Sequence, residues 1–180
     1  MYLRPMEPDD LPVAHEWYQD GEFRLLSGEI PRSLAQRRAR YDESLAEHGK
    51  SWFGFVICRL EDGRMVGRLD LFEINRIDGS AQFGIGIGRP EDRRRGYGSD
   101  AVNALVDFCF GELRLERVWL LTDADNVAAQ ATYRRCGFME EARQRRAYVD
   151  RGRMLDDVRM SMLREDWDAL PRKRSWEWVE

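Results

Sequence analysis

The first fifty residues alternate between short polar loops and segments whose apolar positions recur at helical spacing. Residues 3–6 are extended, and a Pro-Asp-Asp tripeptide then precedes apolar positions three and four residues apart through residue 18. This spacing predicts an amphipathic helix. A second helix is predicted from Pro31 to Gly49, because proline favours the first turn of a helix and glycine its end.

After Gly49 the pattern changes from helical to β-type. Three segments rich in aromatic and β-branched residues, 52–60, 65–74 and 81–87, are separated by turn signals such as Glu61-Asp62-Gly63. Strands joined by tight turns predict an antiparallel meander.

The second half of the chain alternates between helical and strand patterns. A helix follows Gly98, a continuously apolar strand covers 118–122, and Asn126 caps a helix that ends at Gly137. A hairpin of residues 138–149 and 154–163 follows. This order predicts an α+β fold, a mixed central sheet of about six to seven strands flanked by about four α-helices.

Composition and charge narrow the class of protein. The 180 residues are 43% hydrophobic and 34% charged, a mixture that is typical of one globular domain over residues 1–180, with 171–180 as a polar tail that packs on the body, packs on a partner subunit or frays. The chain has no apolar run long enough to span a membrane and no secretory signal, which favours a cytoplasmic protein. The net charge of −4 argues against nucleic-acid binding.

Few residues are available for metal or disulfide chemistry. Three cysteines lie far apart in apolar segments, and only two histidines are present. The cysteines are therefore interpreted as buried thiols of a reducing compartment, and no metal is expected.

A loop rich in glycine and arginine connects the third strand to the next helix. It has the form Arg93-x-x-Gly96-x-Gly98 and leads directly into the helix. Backbone amides at a helix N-terminus bind anions, glycine allows close approach, and arginine suits phosphate oxygens. A pyrophosphate fits such a loop, although the same pattern also occurs in a solvated basic turn. The spacing is neither that of a P-loop nor that of a dinucleotide-binding loop.

Two motifs together resemble the GNAT superfamily of N-acetyltransferases. Arg93-x-x-Gly96-x-Gly98 matches its acetyl-CoA signature, and residues 126–138, with Asn126, Tyr133 and Gly137-Phe138, resemble a second block. The resemblance covers about residues 50–165. It is greatest to ribosomal-protein N-terminal acetyltransferases and spermidine acetyltransferases, through Val66-Gly67, Phe83-Gly84-Ile85 and Asp156-Asp157.

The resemblance implies the GNAT fold, acetyl-CoA as cosubstrate and a set of cofactor contacts. These are expected from Phe83, Ile85, Ile87, Arg93, Arg94, Arg95, Gly96, Tyr97, Gly98, Ser99, Asn126, Ala129, Tyr133 and Arg135. It also implies a homodimer. By spacing alone a helix cap accounts for Asn126, and a favourable charge at a helix C-terminus accounts for Arg135 at least as well as a phosphate contact does.

Acetyl transfer to an amine requires three groups. An acceptor with a pKa near 10.4 is neutral in only about one molecule per thousand at pH 7, so a base, a water relay or desolvation must assist. Backbone amides of residues 83–87 are expected to bind the oxyanion. The Tyr133 hydroxyl is the predicted acid that protonates the departing thiolate.

The general base is the least constrained prediction. Some relatives carry a glutamate five residues before the asparagine, but this chain has Leu121 there. Glu73 is the first substitute, with Asp70, Asp123 and Asp125 as alternatives.

The acceptor is not fixed by the sequence. A protein N-terminus, a polyamine or another small amine is compatible, and acidic residues of the N-terminal third would steer a cation. A non-catalytic acyl-CoA-binding sensor is the alternative function. The arginine clusters at 37–40 and 143–146 are interpreted mainly as solvated faces.

Overall fold

The computed structural model describes residues 1–21, 23, 30–150 and 152–178. The described part contains seven strands and five α-helices, which confirms the predicted α+β class. The strands are β1 (Tyr2–Pro5), β2 (Phe53–Cys58), β3 (Met65–Asn75), β4 (Ser80–Ile87), β5 (Arg117–Asp123), β6 (Met139–Asp150) and β7 (Arg153–Leu163). The helices are α1 (Leu11–Trp17), α2 (Leu34–Leu45), α3 (Tyr97–Asp107), α4 (Val127–Arg135) and α5 (Arg164–Asp168).

The strands form one mixed sheet in the order β1-β2-β3-β4-β5-β7-β6. The chain divides into two compact units, here called the N-terminal unit (Met1–Ile74 and Gly84–Ala101) and the C-terminal unit (Asn75–Phe83 and Val102–Glu180). Strand β4 and helix α3 each pass from one unit into the other. The single domain predicted over residues 1–180 stays a prediction.

Glycines allow close packing in the N-terminal unit. A Cβ atom on Gly67 would lie 2.6 Å from the Gly86 carbonyl oxygen, and one on Gly88 would lie 2.2 Å from the Trp17 ring. Any side chain at either position would therefore displace β4 or helix α1.

Helix α2 begins later than the sequence pattern indicated. Its first residue is Leu34, because the Ser33 side chain accepts a hydrogen bond from the Gln36 amide while the Gln36 side chain accepts one from the Ser33 amide. This capping box fixes the N-terminus three residues after Pro31. The sequence pattern also predicts a loop bracketed by Gly21 and Gly28, and Gly28 lies outside the described residues.

In the C-terminal unit, strand β5 is paired on both sides. It runs parallel to β4 at Ser80–Gln82 and antiparallel to β7 along its whole length, and β7 also pairs with β6. Val118 and Leu120 of β5 and Val158, Met160 and Met162 of β7 are buried on one face of this sheet, and Asp123, Asp157 and Arg159 lie on the other.

The segment after α5 is bound to the unit by one buried carboxylate. Asp107 is fully buried and accepts hydrogen bonds from Trp167 Nε1 at 2.8 Å, from both terminal nitrogens of Arg172 at 2.7 and 2.9 Å, and from the Ser175 amide at 2.7 Å. Burial opposes the charge on Asp107, but these donors outweigh it and hold the pKa below its ordinary value. In the part of the chain that the structure describes, every helix is too short or too polar to span a bilayer.

Replacing Arg172 by alanine leaves the Asp107 charge buried without its ion partner. We expect the free energy of unfolding to fall by about 3 kcal/mol, measured by urea denaturation at pH 7. Because the folded-state pKa of Asp107 is lowered, its contribution is present at neutral pH and is lost as the pH falls through that pKa. The matched control is Arg145→Ala, which removes an exposed arginine, and equal losses from both variants would contradict the assignment.

Candidate active site

The Arg/Gly loop of the N-terminal unit starts from a buried anchor. The turn Pro90–Asp92 ends in a carboxylate that is only 2% exposed, and Arg64 donates to Asp92 Oδ1 at 2.5 Å. The start of the loop is therefore fixed from the β2–β3 connection.

The Arg93 side chain turns back onto the backbone of the preceding strand. Its Nε donates to the Ile87 carbonyl at 3.3 Å, and its terminal nitrogen donates to the Gly88 carbonyl at 3.1 Å. Asp20 lies 3.9 Å from the same guanidinium. Arg93 thus holds the loop against the end of β4, a structural use that the motif alone does not reveal.

The next residues present backbone and charge to solvent. Arg94 has a φ of 60° and Gly96 a φ of 87°, and both side chains of Arg94 and Arg95 are exposed. The Asp100 amide donates to the Gly96 carbonyl at 3.0 Å, so the first turn of α3 starts directly after the loop. The first amides of a helix have no acceptor within it, which makes them donors for an anion.

Space is open above the two motif glycines. A Cβ on Gly96 would meet nothing within 4 Å, and one on Gly98 only the Ile87 side chain at 4.0 Å. Tyr97 and Ser99 are half-buried beside them. A phosphate can therefore approach the backbone closely.

Strand β4 continues beyond its ladder with β5. The ladder ends at the pair Gln82 and Trp119, whereas β4 runs on to Ile87. The predicted cofactor contacts of this strand, Phe83, Ile85 and Ile87, lie in that continuation. Phe83 itself is 2% exposed, so its side chain belongs to the core and its backbone is what it offers a ligand.

Helix α4 begins at the predicted cap. Asn126 Oδ1 accepts from the Ala129 amide at 3.1 Å, which leaves the amide nitrogen of this half-buried side chain able to donate to a ligand. At the other end of the helix, Arg134 pairs with Glu140 at 2.7 Å. Arg135 is exposed and donates to Thr132 of the same helix at 3.1 Å, so it is the better placed of the two for a ligand.

Tyr133 is buried in an aromatic cluster of the C-terminal unit. Its ring meets Phe83 edge to face with centroids 6.0 Å apart, and Phe138 at 6.2 Å. Burial, with a smaller effect of Cys136, raises the pKa of the Tyr133 hydroxyl above its ordinary value. Tyr133 therefore keeps its proton throughout the neutral range.

The predicted carboxylates differ in their surroundings. Glu73 is exposed on β3 with a φ of 51°, a backbone conformation that costs a side-chain residue about 1–2 kcal/mol. Asp70 is occupied, because it accepts from Trp52 Nε1 at 3.2 Å and from Arg68 Nε at 2.9 Å. Asp125 is exposed, and its amide donates to Asp123 Oδ1 at 2.7 Å.

Two functional candidates were missed from the sequence, Asp157 and Gln130. Asp157 lies directly opposite Asp123 in the β5–β7 ladder. Burial and then the Asp123 charge raise the pKa of Asp157. Gln130 Nε2 donates to the carbonyls of Asp123 and Ala124 at 3.1 and 2.9 Å and so joins α4 to the end of β5. The sequence does not reveal that Asp157 faces Asp123, because only the register between two strands distant in sequence brings the carboxylates together. Gln130 could have been found from the sequence, because it occupies a buried position in the helical pattern.

Comparison with known proteins identifies the family. The model of the acetyltransferase (GNAT) domain matches residues 1–139. This chain belongs to the GNAT acetyltransferase family.

Individual GNAT relatives match along most of their length. The spermidine N(1)-acetyltransferase of Escherichia coli K12 is 28% identical over 93% of this chain and 88% of its own, and the putative ribosomal N-acetyltransferase YdaF of Bacillus subtilis is 29% identical over 93% of each. The crystal structure of spermidine N-acetyltransferase from Vibrio cholerae in complex with CoA and spermine has a TM-score of 0.85 and 28% identity, covering 92% of this chain and 96% of that one.

The chain is accordingly an acetyl-CoA-dependent N-acetyltransferase, as the two motifs implied. The loop around Gly96 fits the phosphates of coenzyme A, since it combines helix amides, exposed guanidinium groups and open space. Among the described residues, no group of three or more His, Cys, Asp or Glu side chains is arranged to hold a metal.

The contacts of Arg93 and Arg95 predict different consequences of their removal. Arg93→Ala leaves two strand-end carbonyls without their donor and is expected to lower the free energy of unfolding by about 1–3 kcal/mol. Arg95→Ala is expected to leave that free energy within about 0.5 kcal/mol of the wild type and to weaken acetyl-CoA binding about tenfold. Thermal melting and calorimetric titration separate the two, and unchanged acetyl-CoA affinity in Arg95→Ala would contradict the phosphate assignment.

Proposed function

We propose that this N-acetyltransferase acetylates a primary amine of a polyamine, with Asp157 and Asp123 accepting the two protons that the protonated amine loses and Tyr133 donating one to the departing thiolate. The observation that carries the proposal is the pair of opposed carboxylates at the end of β5 and β7. The relatives named for spermidine support the acceptor class.

The two carboxylates lie on the polar face of the C-terminal unit's sheet. Directly opposite residues of antiparallel strands have Cα atoms about 5 Å apart and side chains on the same face. Two carboxylates that close repel each other, which is one cause of the raised pKa of Asp157. A protonated amine placed between them relieves that repulsion, so the pair favours a cationic acceptor.

Tyr133 lies on the opposite, apolar face. Ala81 pairs with Val118, so Phe83, two residues further along β4, shares the face of Val118 and Leu120. The Tyr133 ring packs on Phe83 there. The proton acceptor and the proton donor are therefore on different faces of one sheet, which suits an amine and a thioester that arrive from opposite sides.

The chain's groups then divide the proton transfers. Acetyl-CoA supplies an acetyl group activated as a thioester. Asp157 first takes one proton from the bound ammonium, and this frees the nitrogen lone pair. As the nitrogen forms its bond to the carbonyl carbon, Asp123 takes the second proton that the nitrogen loses, and backbone amides of β4 stabilise the oxyanion. As the carbon–sulfur bond breaks, Tyr133 gives its proton to the sulfur.

The remaining cofactor contacts are proposed from which groups are exposed. Phosphate would be bound by the side chains of Arg94 and Arg95 and by the amides of Gly96, Tyr97, Gly98 and Ser99. The α4 side of the cofactor would be lined by Asn126, Ala129 and Arg135. Arg93 would act by holding the loop.

A homodimer and a cytoplasmic location complete the proposal. Strand β6 is an edge strand of the sheet. In the hairpin of β6 and β7 the exposed fractions of Met139, Val149 and Met154 are 55%, 64% and 40%. Apolar residues on an edge strand favour pairing with a second copy. Cys58, Cys109 and Cys136 are buried thiols, as is usual in a reducing compartment.

The acceptor class is tested by following thiol release from acetyl-CoA with spermidine, spermine, a short peptide with a free N-terminus and an amino-acid amide. We expect saturable turnover with the polyamines, and a kcat about a hundredfold lower in Tyr133→Phe with acetyl-CoA affinity unchanged. Turnover with the peptide alone would contradict the polyamine acceptor. Binding of acetyl-CoA without turnover on any amine would favour the non-catalytic sensor.

The general base is tested by comparing Asp157→Asn, Asp123→Asn and Glu73→Gln. We expect Asp157→Asn to lower kcat/KM about a hundredfold at pH 7. The effect should be smaller as the pH approaches the pKa of the amine, near 10, because no base is then needed to neutralise the amine. Glu73→Gln is the matched control on the other candidate. Loss of activity in Glu73→Gln with full activity in both aspartate variants would instead assign the role to Glu73.

A further inference from the structure

Gln130 is a buried polar side chain in the middle of helix α4, and the proposed reaction assigns it no step. It is 7% exposed, and its Nε2 donates to the Asp123 carbonyl at 3.1 Å and to the Ala124 carbonyl at 2.9 Å. The amide nitrogen of a glutamine carries two hydrogens, so both of them are used on consecutive backbone carbonyls. Gln130 therefore ties α4 to the turn that follows β5.

The orientation of the Gln130 amide is fixed from its other end. Arg134 Nη2 donates to Gln130 Oε1 at 3.3 Å and to Glu140 Oε2 at 2.7 Å. A flipped amide would place its oxygen against two carbonyl oxygens and its nitrogen against a guanidinium, so these partners define which end faces the turn. The donors of Gln130 thus point at the turn, and its acceptor points at Arg134.

The turn that Gln130 holds, residues 123–126, carries two groups of the proposed site. The Asp125 amide donates to Asp123 Oδ1 at 2.7 Å, and the Asn126 amide donates to the Asp123 carbonyl at 3.0 Å. Asn126 is also the N-cap of α4. Because an amide of this turn orients the Asp123 carboxylate, the contacts of Gln130 with the turn help to determine where that carboxylate lies.

The turn is also tied to strand β7. The Ala124 amide donates to the Asp156 carbonyl at 2.9 Å, while the Ala124 carbonyl accepts from Gln130. Asp156 immediately precedes Asp157, which lies opposite Asp123 in the ladder of β5 and β7. The turn is therefore held between α4 and the strand that carries Asp157, so the contacts of Gln130 act on the separation of the two carboxylates.

We propose that Gln130 is a positioning residue of the acetyl transfer, which holds the Asp123 carboxylate beside Asp157 so that the pair can accept the two protons of the amine. The inference rests on the proposed function, since it concerns the same pair of carboxylates. Without the two donors of Gln130 the turn loses its connection to α4, and the Asp123 carboxylate is displaced with it. A proton acceptor that is displaced from hydrogen-bond distance of its donor lowers the rate.

The decisive variant is Gln130→Met, which keeps the length of the side chain and removes its donors and its acceptor. We expect kcat for spermidine, measured by thiol release well below the melting midpoint of each variant, to fall about tenfold. The Kd of acetyl-CoA should stay within about twofold of the wild type, because the Arg/Gly loop is unchanged. A merely structural role would lower the melting midpoint and leave kcat of the folded protein unchanged.

Gln130→Glu is a second variant of the same length. Its carboxylate keeps Arg134 as a partner but has no hydrogen to donate to the two carbonyls, so the same loss of kcat is expected. It provides the test if Gln130→Met does not fold. Unchanged kcat in the folded variants would overturn the positioning role and leave the proposed function untouched.

Arg134→Met is the matched control on the same helix. It removes the contact at Gln130 Oε1 and the ion pair with Glu140, but it leaves both hydrogen bonds from Gln130 to the turn. We expect its kcat to stay within about twofold of the wild type. Equal losses in Arg134→Met and Gln130→Met would show that any disturbance of α4 slows the reaction, and this would contradict the positioning role.

A double-mutant cycle with Asp123→Asn separates this inference from the proposed function. If Gln130 acts by placing Asp123, then Gln130→Met lowers kcat in the wild-type background and adds no further loss to Asp123→Asn. Additive losses would overturn the positioning role while leaving the proton-accepting role of Asp123 intact. Full activity of Asp123→Asn alone would instead contradict the proposed role of Asp123 in accepting a proton, and the inference on Gln130 with it.

Discussion

The hydrogen bonds from Arg93 to the Ile87 and Gly88 carbonyls are the constraint on which the Arg/Gly loop depends. They close the chain back on the end of β4 and leave the following residues to turn outward. The ion pair between Arg64 and the buried Asp92 carboxylate fixes the other side of the same turn. Because both contacts act on the loop's base, Arg94 can hold its left-handed conformation, which costs free energy for a residue with a side chain.

Close packing behind the loop depends on the same geometry. Gly67 and Gly88 lie where a methyl group would meet the Gly86 carbonyl or the Trp17 ring. These glycines permit approach of backbone to backbone and of an aromatic ring to a strand, rather than flexibility. A loop that binds phosphate through its amides requires such a rigid base, because donors that must reorganise on binding contribute less affinity.

Most elements could be predicted because hydrophobic period and turn residues are local. The sequence does not predict features that depend on partners distant along the chain. Asp157 acquires its proposed role through its register with Asp123, and the buried guanidinium of Arg37 stacks on the ring of Tyr18, nineteen residues earlier in the chain. The predicted start of α2 was wrong by three residues, because the capping box at Ser33 and not Pro31 sets the first residue of the helix.

Burial raises the pKa of two proposed proton-transfer groups, Asp157 and Tyr133, but the consequence differs because one must accept a proton and the other must donate one. A raised pKa, caused by burial and then by the Asp123 charge, makes the Asp157 carboxylate a stronger base. A raised pKa keeps the proton on Tyr133 until a thiolate, which is a far stronger base than water, forms beside it.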